Sequence, residues 1–511
     1  FLEAAVVAGA TLPGVTQGQG HASGTVKGEE ATPVPGANSR ASVDEYLRRA
    51  RKDGVTAPSF DPPPKRDDTA KPILVFRRSI PVRHEVDVFI AGGGPAGVVA
   101  AMAARTQNAS VFLAENHTCF GGNATAGRLP VFMTISDGVN FLPGGMGRKI
   151  FQRLWHDGLP MPTDVAIHAE SLKRIYDELM VESGAGFTFQ TRLIGIDTKG
   201  GYVTHAICAA KSGIFAVKAR VFVDATGDGD LCAWAGAKYE KGDEDGRMMP
   251  GTLCSLWNGI DWPTVLANQM KDIQPDREFL EKATADGVFA YFDPHMTGMY
   301  DHGHTMGGAN IGHCYGVDGI DEESVTKHLM WGRQNVVEFW RYYRNYLKGY
   351  QDLVLTATGE ILGIRETRRI IGDYILNLDD FKRRAVFDDE IGRYNYPVDI
   401  HPLKPDQLQY QEHRQRWAQS SMGKGESYGI PYRILTPIGL DNVLVAGRCV
   451  STDRWVFGSL RVQPGCFITG QAAGMAAAIA ASANIPPRDV QVKDLQQRLK
   501  RIGAFLPNAQ V

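Results

Sequence analysis

The chain has 511 residues, 43% apolar and 22% charged, with 55 basic against 57 acidic residues and a formal net charge of −2. That balance gives no electrostatic footprint for nucleic acid or an anionic membrane, and the composition is that of a globular protein rather than a fibrous or disordered one. Seven scattered cysteines without a C-x-x-C pair (Cys119, Cys208, Cys232, Cys254, Cys314, Cys449, Cys466) argue against zinc modules, iron–sulfur clusters and a disulfide framework.

Residues 1–22 are apolar and small, then polar, and read as an export-signal remnant. The opening Phe1-Leu2 matches the residues that often follow the arginine pair of a twin-arginine signal. A periplasmic or exported protein is therefore expected, with a cytoplasmic one as the alternative. Residues 23–80, rich in Pro, Gly and charge, read as an extended arm with one short helix at 43–51. No run of 18 apolar residues occurs, so no transmembrane helix is expected.

From residue 85 the pattern becomes strand, glycine turn, helix, strand: 85–91, 92–97, 95–105 and 110–115. This is a βαβ unit. Gly92-Gly93-Gly94-Pro95-Ala96-Gly97 fits G-x-G-x-x-G. Gly92 permits the turn, Gly94 the close approach of a pyrophosphate, and Gly97 the packing of helix on sheet. Pro95 suits the first helical turn, and with Ala96 it counts among the cofactor-binding residues, where free N–H groups face the anion. Glu115 falls 18 residues after Gly97, where a ribose hydroxyl acceptor is expected, followed by Asn116; a plain turn role for Glu115 stays open.

Later segments narrow the dinucleotide. Gly121-Gly122-Asn123, just after the ribose acid, is typical of flavoproteins. A buried strand at 220–225 runs into Ala225-Thr226-Gly227, similar to a turn that lies against FAD. Another strand at 442–446 leads into Gly447-Arg448, and an alanine helix at 470–483 carries Gly470, Ala472 and Ala473. The N-terminus of such a helix can stabilise negative charge on a reduced flavin. Strands at 203–209 and 214–218 look paired, and a charged helix is expected at 323–347.

On these motifs, and on VDATGDGD (223–230), GIRETRRIIGDY (363–374), YPVDIH (396–401), GIPYRILTP (429–437), VLVAGRCVSTDR (443–454) and GSLRVQPGCFITGQAAGMAAA (458–478), the chain over about 85–505 resembles the bacterial FAD-dependent oxidoreductases related to fumarate reductase and to thiazole-synthesis flavoproteins. The resemblance implies FAD and an α/β fold: a glutathione reductase-type, Rossmann-like FAD-binding domain with an inserted α+β substrate or cap domain. The expected boundaries are 81–255 and 426–485 for the FAD domain, 256–425 for the cap, and 486–511 for a C-terminal helix and tail. Neither a redox cysteine pair near Gly121 nor a second glycine fingerprint occurs. Reoxidation is therefore expected from substrate, oxygen or another electron acceptor rather than NAD(P).

The expected activity is hydride transfer between FAD and a small polar substrate, sugar-like or cyclic if the insert aromatics Trp257, Tyr291, Phe292, Trp331 and Trp340 stack on it; those residues would serve equally as core. The alternatives are reduction of an unsaturated acid, a non-catalytic flavin-binding protein, or thiazole-like cofactor synthesis. His304 and His313, among glycines, are the candidate bases, and the same residues would fit exposed or core positions. A metal site from His302, His304 and His313 would have only the H-x-H spacing behind it, and none is expected. Arg365 is a candidate clamp for substrate oxygens, with internal ion pairing of the 365–369 run as the plain alternative, and Arg461, lying between FAD-side motifs, would pair with the flavin or orient substrate. Asp399 and His401 flank Ile400 and would share one face if extended.

Overall fold

The computed structural model describes residues 56–61, 63, 74–75, 77–157, 165–268, 277–293 and 298–510. The expected export-signal remnant, the helix at 43–51 and most of the 23–80 arm lie outside those residues.

A seven-stranded sheet organises the fold. Six of its strands are β1 (Val82–Ala91), β2 (Val111–Ala114), β3 (Gly186–Thr188), β4 (Arg192–Lys199), β5 (Tyr202–Ala210) and β6 (Gly213–Asp224), in the order β3-β2-β1-β6-β5-β4. The late strand Val443–Val445 also pairs with β6. The last four residues of β1 are all buried, as a parallel strand covered on both faces requires. β1 runs parallel to β2, Phe89 opposite Phe112, and parallel to β6, Phe89 opposite Phe222.

The sequence suggests two strands at 214–218 and 220–225; the structure has one. The first half of β6 pairs antiparallel with β5, and its end pairs in parallel with Val443–Val445. Exposed Lys218 and Arg220 interrupt the apolar pattern where the strand changes neighbours.

The alanine helix is Gln463–Ala483, beginning seven residues before Gly470, with Pro464 in its first turn. It packs on the helix Pro95–Arg105, backbone against backbone. A Cβ at Gly470 would lie 2.3 Å from the Ala96 carbonyl oxygen, and one at Gly474 2.0 Å from that of Ala100. Small residues are needed here so that the two helices can touch. Among the described residues this is the one helix long and apolar enough to cross a bilayer, and 83% of its most apolar stretch is buried in the protein.

The insert builds a second sheet, antiparallel, in the order Val354–Thr358, Ser255–Asn258, Gly307–Ala309, Met299–Asp301. The helix Glu322–Tyr346 packs on it, capped by the Asp321 side chain, which accepts from the Ser324 N–H. Trp257, Phe339, Tyr342 and Tyr343 form its core. Trp331 belongs to an adjacent buried cluster with Tyr291 packed against it, and Phe292 and Trp340 pack on the first. These five aromatics serve as core rather than as a stacking surface.

Candidate active site

The C-terminal ends of β1, β6 and Val443–Val445 open together onto one cleft of about 1440 Å³, as ligand sites on parallel sheets do. Gly92 leaves β1 at φ +92, and a Cβ there would press within 2.6 Å of the Ala225 carbonyl oxygen, so only glycine serves. Gly94 is different: its backbone is extended, and a Cβ would meet nothing within 4 Å, standing in the open cleft. It is the N-cap of Pro95–Arg105 and provides no side-chain cap. The first-turn N–H groups of that helix therefore remain for an anion.

Around this turn Glu115 is buried. Its Oε2 accepts from Gly93 N at 2.5 Å and its Oε1 from His117 N at 2.6 Å, which fixes the carboxylate while it still lines the cleft. Arg448 donates to the Gly227 carbonyl at 2.8 Å and pairs with Asp228 at 2.5 Å, locking the Ala225-Thr226-Gly227 turn. Asn123 and Gln463 line the cleft with buried polar atoms that have no partner among the described residues: Asn123 Oδ1 and both amide atoms of Gln463. An open glycine, a bare helix start and an orphaned side-chain amide are what the diphosphate and the polar edge of a flavin would satisfy.

The other end of the cleft is built by the insert and by residues 396–418. Arg365 is buried, donating to the Pro250 carbonyl at 2.8 Å, Thr252 Oγ1 at 2.9 Å and Asn310 Oδ1 at 3.3 Å. None of these partners is anionic. Burial first, and then neighbouring Arg461, disfavour its charge, with partial relief from Asp399. Arg461 donates to Asp399 Oδ2 at 2.9 Å and to the Asp399 carbonyl at 3.1 Å. His401 Nε2 lies 3.2 Å from Asp399 Oδ1. Burial pushes the Asp399 carboxyl upward, but His401 and Arg461 outweigh it and hold it well below the usual range. Burial and Arg365 push the His401 imidazolium well below its ordinary range despite Asp399. Tyr300 also lines this end, its phenol pushed up to about 12 by burial.

Of the sequence-predicted cofactor residues, Gly92, Gly94, Pro95, Ala96, Glu115, Asn116, Gly122, Asn123, Ala225, Thr226, Gly227, Gly447 and Arg448 line the cleft. Five others sit behind it. Gly97 packs on the Gly92 carbonyl, Gly121 on Thr125 and Tyr176, and Gly470, Ala472 and Ala473 lie buried within the alanine helix. It is the earlier start of that helix, at Val462, Gln463 and Cys466, that reaches the cleft.

Of the candidate catalytic residues, Arg365 and Arg461 line the cleft. His304 is exposed in the turn between Met299–Asp301 and Gly307–Ala309, outside the lining. His313 is buried one layer behind His401, 3.1 Å from it. His302 turns to the Pro130 carbonyl at 3.0 Å. Glu366 and Arg369 form the internal ion pair, joined by Arg454. Cys119 is buried, and burial raises its thiol. Gln463, Tyr300 and Asn310 were not singled out from the sequence. Gln463 had a readable signal, a proline one residue later marking a helix start.

The model of the family described as FAD dependent oxidoreductase matches residues 87–499. The chain is similar to thiamine thiazole synthase from Methanococcus aeolicus, 26% identical over 205 residues, covering 38% of this chain and 74% of that protein. Among solved structures it is similar to a geranylgeranyl bacteriochlorophyll reductase-like protein from Thermoplasma acidophilum, with a TM-score of 0.43 at 13% identity over 82% of this chain and 83% of that one. It is also similar to p-nitrophenol 4-monooxygenase from Pseudomonas putida, with a TM-score of 0.37 at 11% identity over 82% and 84%.

Proposed function

The chain belongs to the FAD-dependent oxidoreductase family, with FAD as its cofactor, and from that premise we propose that it moves a hydride between the flavin and a small organic substrate bearing a carboxylate or similar anion. The observation that carries this reading is Arg365: a buried guanidinium on the cleft wall whose hydrogen-bond partners are all neutral. A buried cation of that kind calls for an anionic ligand. The cleft volume also exceeds the roughly 300–1,000 Å³ of an ordinary small-molecule site, in keeping with a cofactor and a substrate side by side.

When bound, FAD supplies a two-electron acceptor or donor. Gly94 and the first turn of Pro95–Arg105 would hold its diphosphate, Glu115 its ribose, and Gln463 with the start of the alanine helix the flavin's polar edge. Arg365 binds the substrate anion and fixes its orientation. Arg461, held by Asp399, keeps that carboxylate ionised beside His401. Reoxidation falls to an acceptor other than NAD(P), since the chain carries a single glycine fingerprint.

The same wall suits an unsaturated acid reduced in the opposite direction, and one experiment covers both directions. Anaerobic holoprotein is offered hydroxy acids and amino acids, each beside its neutral ester or amide, while the oxidised flavin band is followed; dithionite-reduced holoprotein is offered unsaturated acids. Acids are expected to bleach or restore the band and their neutral partners to fail. Equal response to neutral polyols or esters, or no response in either direction, overturns the reading.

A further inference from the structure

The insert sheet turns its two faces to different places. Trp257, Met299 and Ala309 share one face and belong to the insert core. Tyr300, next in line to Met299 and opposite Gly308, stands on the other face and lines the cleft. Cys254 and Asn310, just beyond the paired ends of their strands, follow on that same face. Their Sγ and Oδ1 lie 3.9 Å apart, and both residues line the cleft. Asn310 is two residues from Gly308, so it sits diagonal to Tyr300. Such a pair is about 7–8 Å apart and within reach of an aromatic side chain. Asn310 Oδ1 also accepts from Arg365. Register and that bond together bring the Tyr300 phenol and the Arg365 guanidinium to one part of the cleft wall.

Both groups have donors to spare. The three hydrogen bonds of Arg365 use Nη1 twice and Nη2 once. Of its five N–H groups, the Nε–H and one Nη2–H are therefore uncommitted among the described residues. Nε and Nη2 form one edge of the guanidinium, an edge that a carboxylate can grip with both oxygens. The Tyr300 hydroxyl has no hydrogen-bond partner among the described residues. Nearby phenols differ: the Tyr396 hydroxyl reaches Met133 Sδ at 3.1 Å, and that of Tyr315 donates to Asp293 at 2.9 Å. Burial pushes the Tyr300 phenol up to about 12, so at neutral pH it is a donor. A donor set in a cleft wall without an acceptor calls for one on the ligand.

We propose that the substrate is a 2-hydroxy acid or, in the reverse direction, its 2-oxo acid, and that Tyr300 is the residue that selects it. Arg365 holds the carboxylate, and the Tyr300 hydroxyl donates to the oxygen on the neighbouring carbon. This rests on the hydride-transfer reading of the cleft and narrows it. An amino acid would set an ammonium beside Arg365 and offer the phenol no acceptor. An unsaturated acid carries no oxygen at its reacting carbon. In oxidation the C2–H bond breaks and its electron pair passes to FAD, the C–O bond becomes C=O, and the hydroxyl proton leaves to solvent water. Reduction runs the same changes backwards. Tyr300 keeps its own proton throughout, because it donates to the alcohol oxygen and to the oxo oxygen alike.

The test uses FAD-loaded protein and ligands that do not react with the oxidised flavin, read by their perturbation of the bound-flavin absorption. Pyruvate, 2-oxobutyrate and phenylpyruvate are titrated beside propionate, butyrate and 3-phenylpropionate, which lack only the oxo oxygen. In the wild type the oxo acid of at least one pair should bind about five- to tenfold tighter than its plain partner. In Tyr300→Phe that preference should fall to about twofold or less, with the plain acid bound as before and FAD retained. The melting temperature should not move, since the lost hydroxyl holds nothing in the protein. A wild type without the preference, a variant that keeps it, or a variant that melts lower and binds both ligands more weakly overturns the proposal while the acid reading stands. If no acid of either kind binds, the anion reading of the cleft fails, and the proposal with it. Flavin reduction gives a second readout, with lactate, 2-hydroxybutyrate and 3-phenyllactate set against 3-hydroxybutyrate and 2-aminobutyrate. At least one 2-hydroxy acid should bleach the oxidised flavin, or its 2-oxo acid restore the reduced one. Bleaching at an equal rate by the 3-hydroxy or the 2-amino acid overturns the proposal.

Discussion

Gly94→Val should yield a folded chain that no longer retains FAD. Of the fingerprint glycines, Gly94 alone has an extended backbone and empty space where a Cβ would go. Gly92 and Gly97 are structural: added carbons there would lie 2.6 Å from the Ala225 carbonyl oxygen and 1.9 Å from that of Gly92. The Cβ of a valine at 94 meets no protein atom within 4 Å and stands in the approach to the bare helix start. Two lost charge-assisted hydrogen bonds at about 1.5–3 kcal/mol each imply a fall in FAD affinity of at least ~10²-fold. Circular dichroism and thermal unfolding of the apoprotein should match wild type, and an FAD titration followed by flavin fluorescence should show the loss. Wild-type affinity in Gly94→Val would remove the diphosphate from this turn.

Arg365→Gln should separate substrate binding from cofactor binding. Losing one partner of a buried charge pair costs about 2–5 kcal/mol, so flavin reduction by the effective acid should fall by ~30- to ~4,000-fold while FAD stays bound. Stability should move the other way. The folded state disfavours the charge of Arg365, through burial and Arg461, so removing it should leave the melting temperature of substrate-free holoprotein unchanged or raised. Rapid-mixing reduction rates and a melting curve on one preparation check both halves. Unchanged reduction, or a large drop in melting temperature, would make Arg365 a structural residue.

The cofactor half of this site is legible in sequence because its chemistry is local. Gly92 to Gly97, Glu115 and Ala225 to Gly227 each sit at the end of a strand whose apolar run announces it, and the fold brings those ends to one edge. The substrate half is not local. His313 and His401 are 88 residues apart in sequence, and Asp293 a further 20 before His313, so nothing in either segment signals the contact. His304 and His313 look alike among their glycines, yet one is exposed on a hairpin turn and the other buried behind the cleft. The Asp399–His401 pair was readable from its spacing, but its place on the cleft wall came from packing. The alanine run drew attention to Gly470, where small side chains serve helix contact, and away from Gln463, where the helix meets the cleft.

A crystal structure of the FAD-loaded protein tests the central claim most directly, that separated turns grip one flavin and leave its reactive ring open to Arg365 and His401. The expected density places the diphosphate over Gly94 and the start of Pro95–Arg105, with the flavin ring toward Gln463 and its open side facing Arg365 and His401. A flavin bound outside this cleft, or a ring walled off from Arg365, would contradict it.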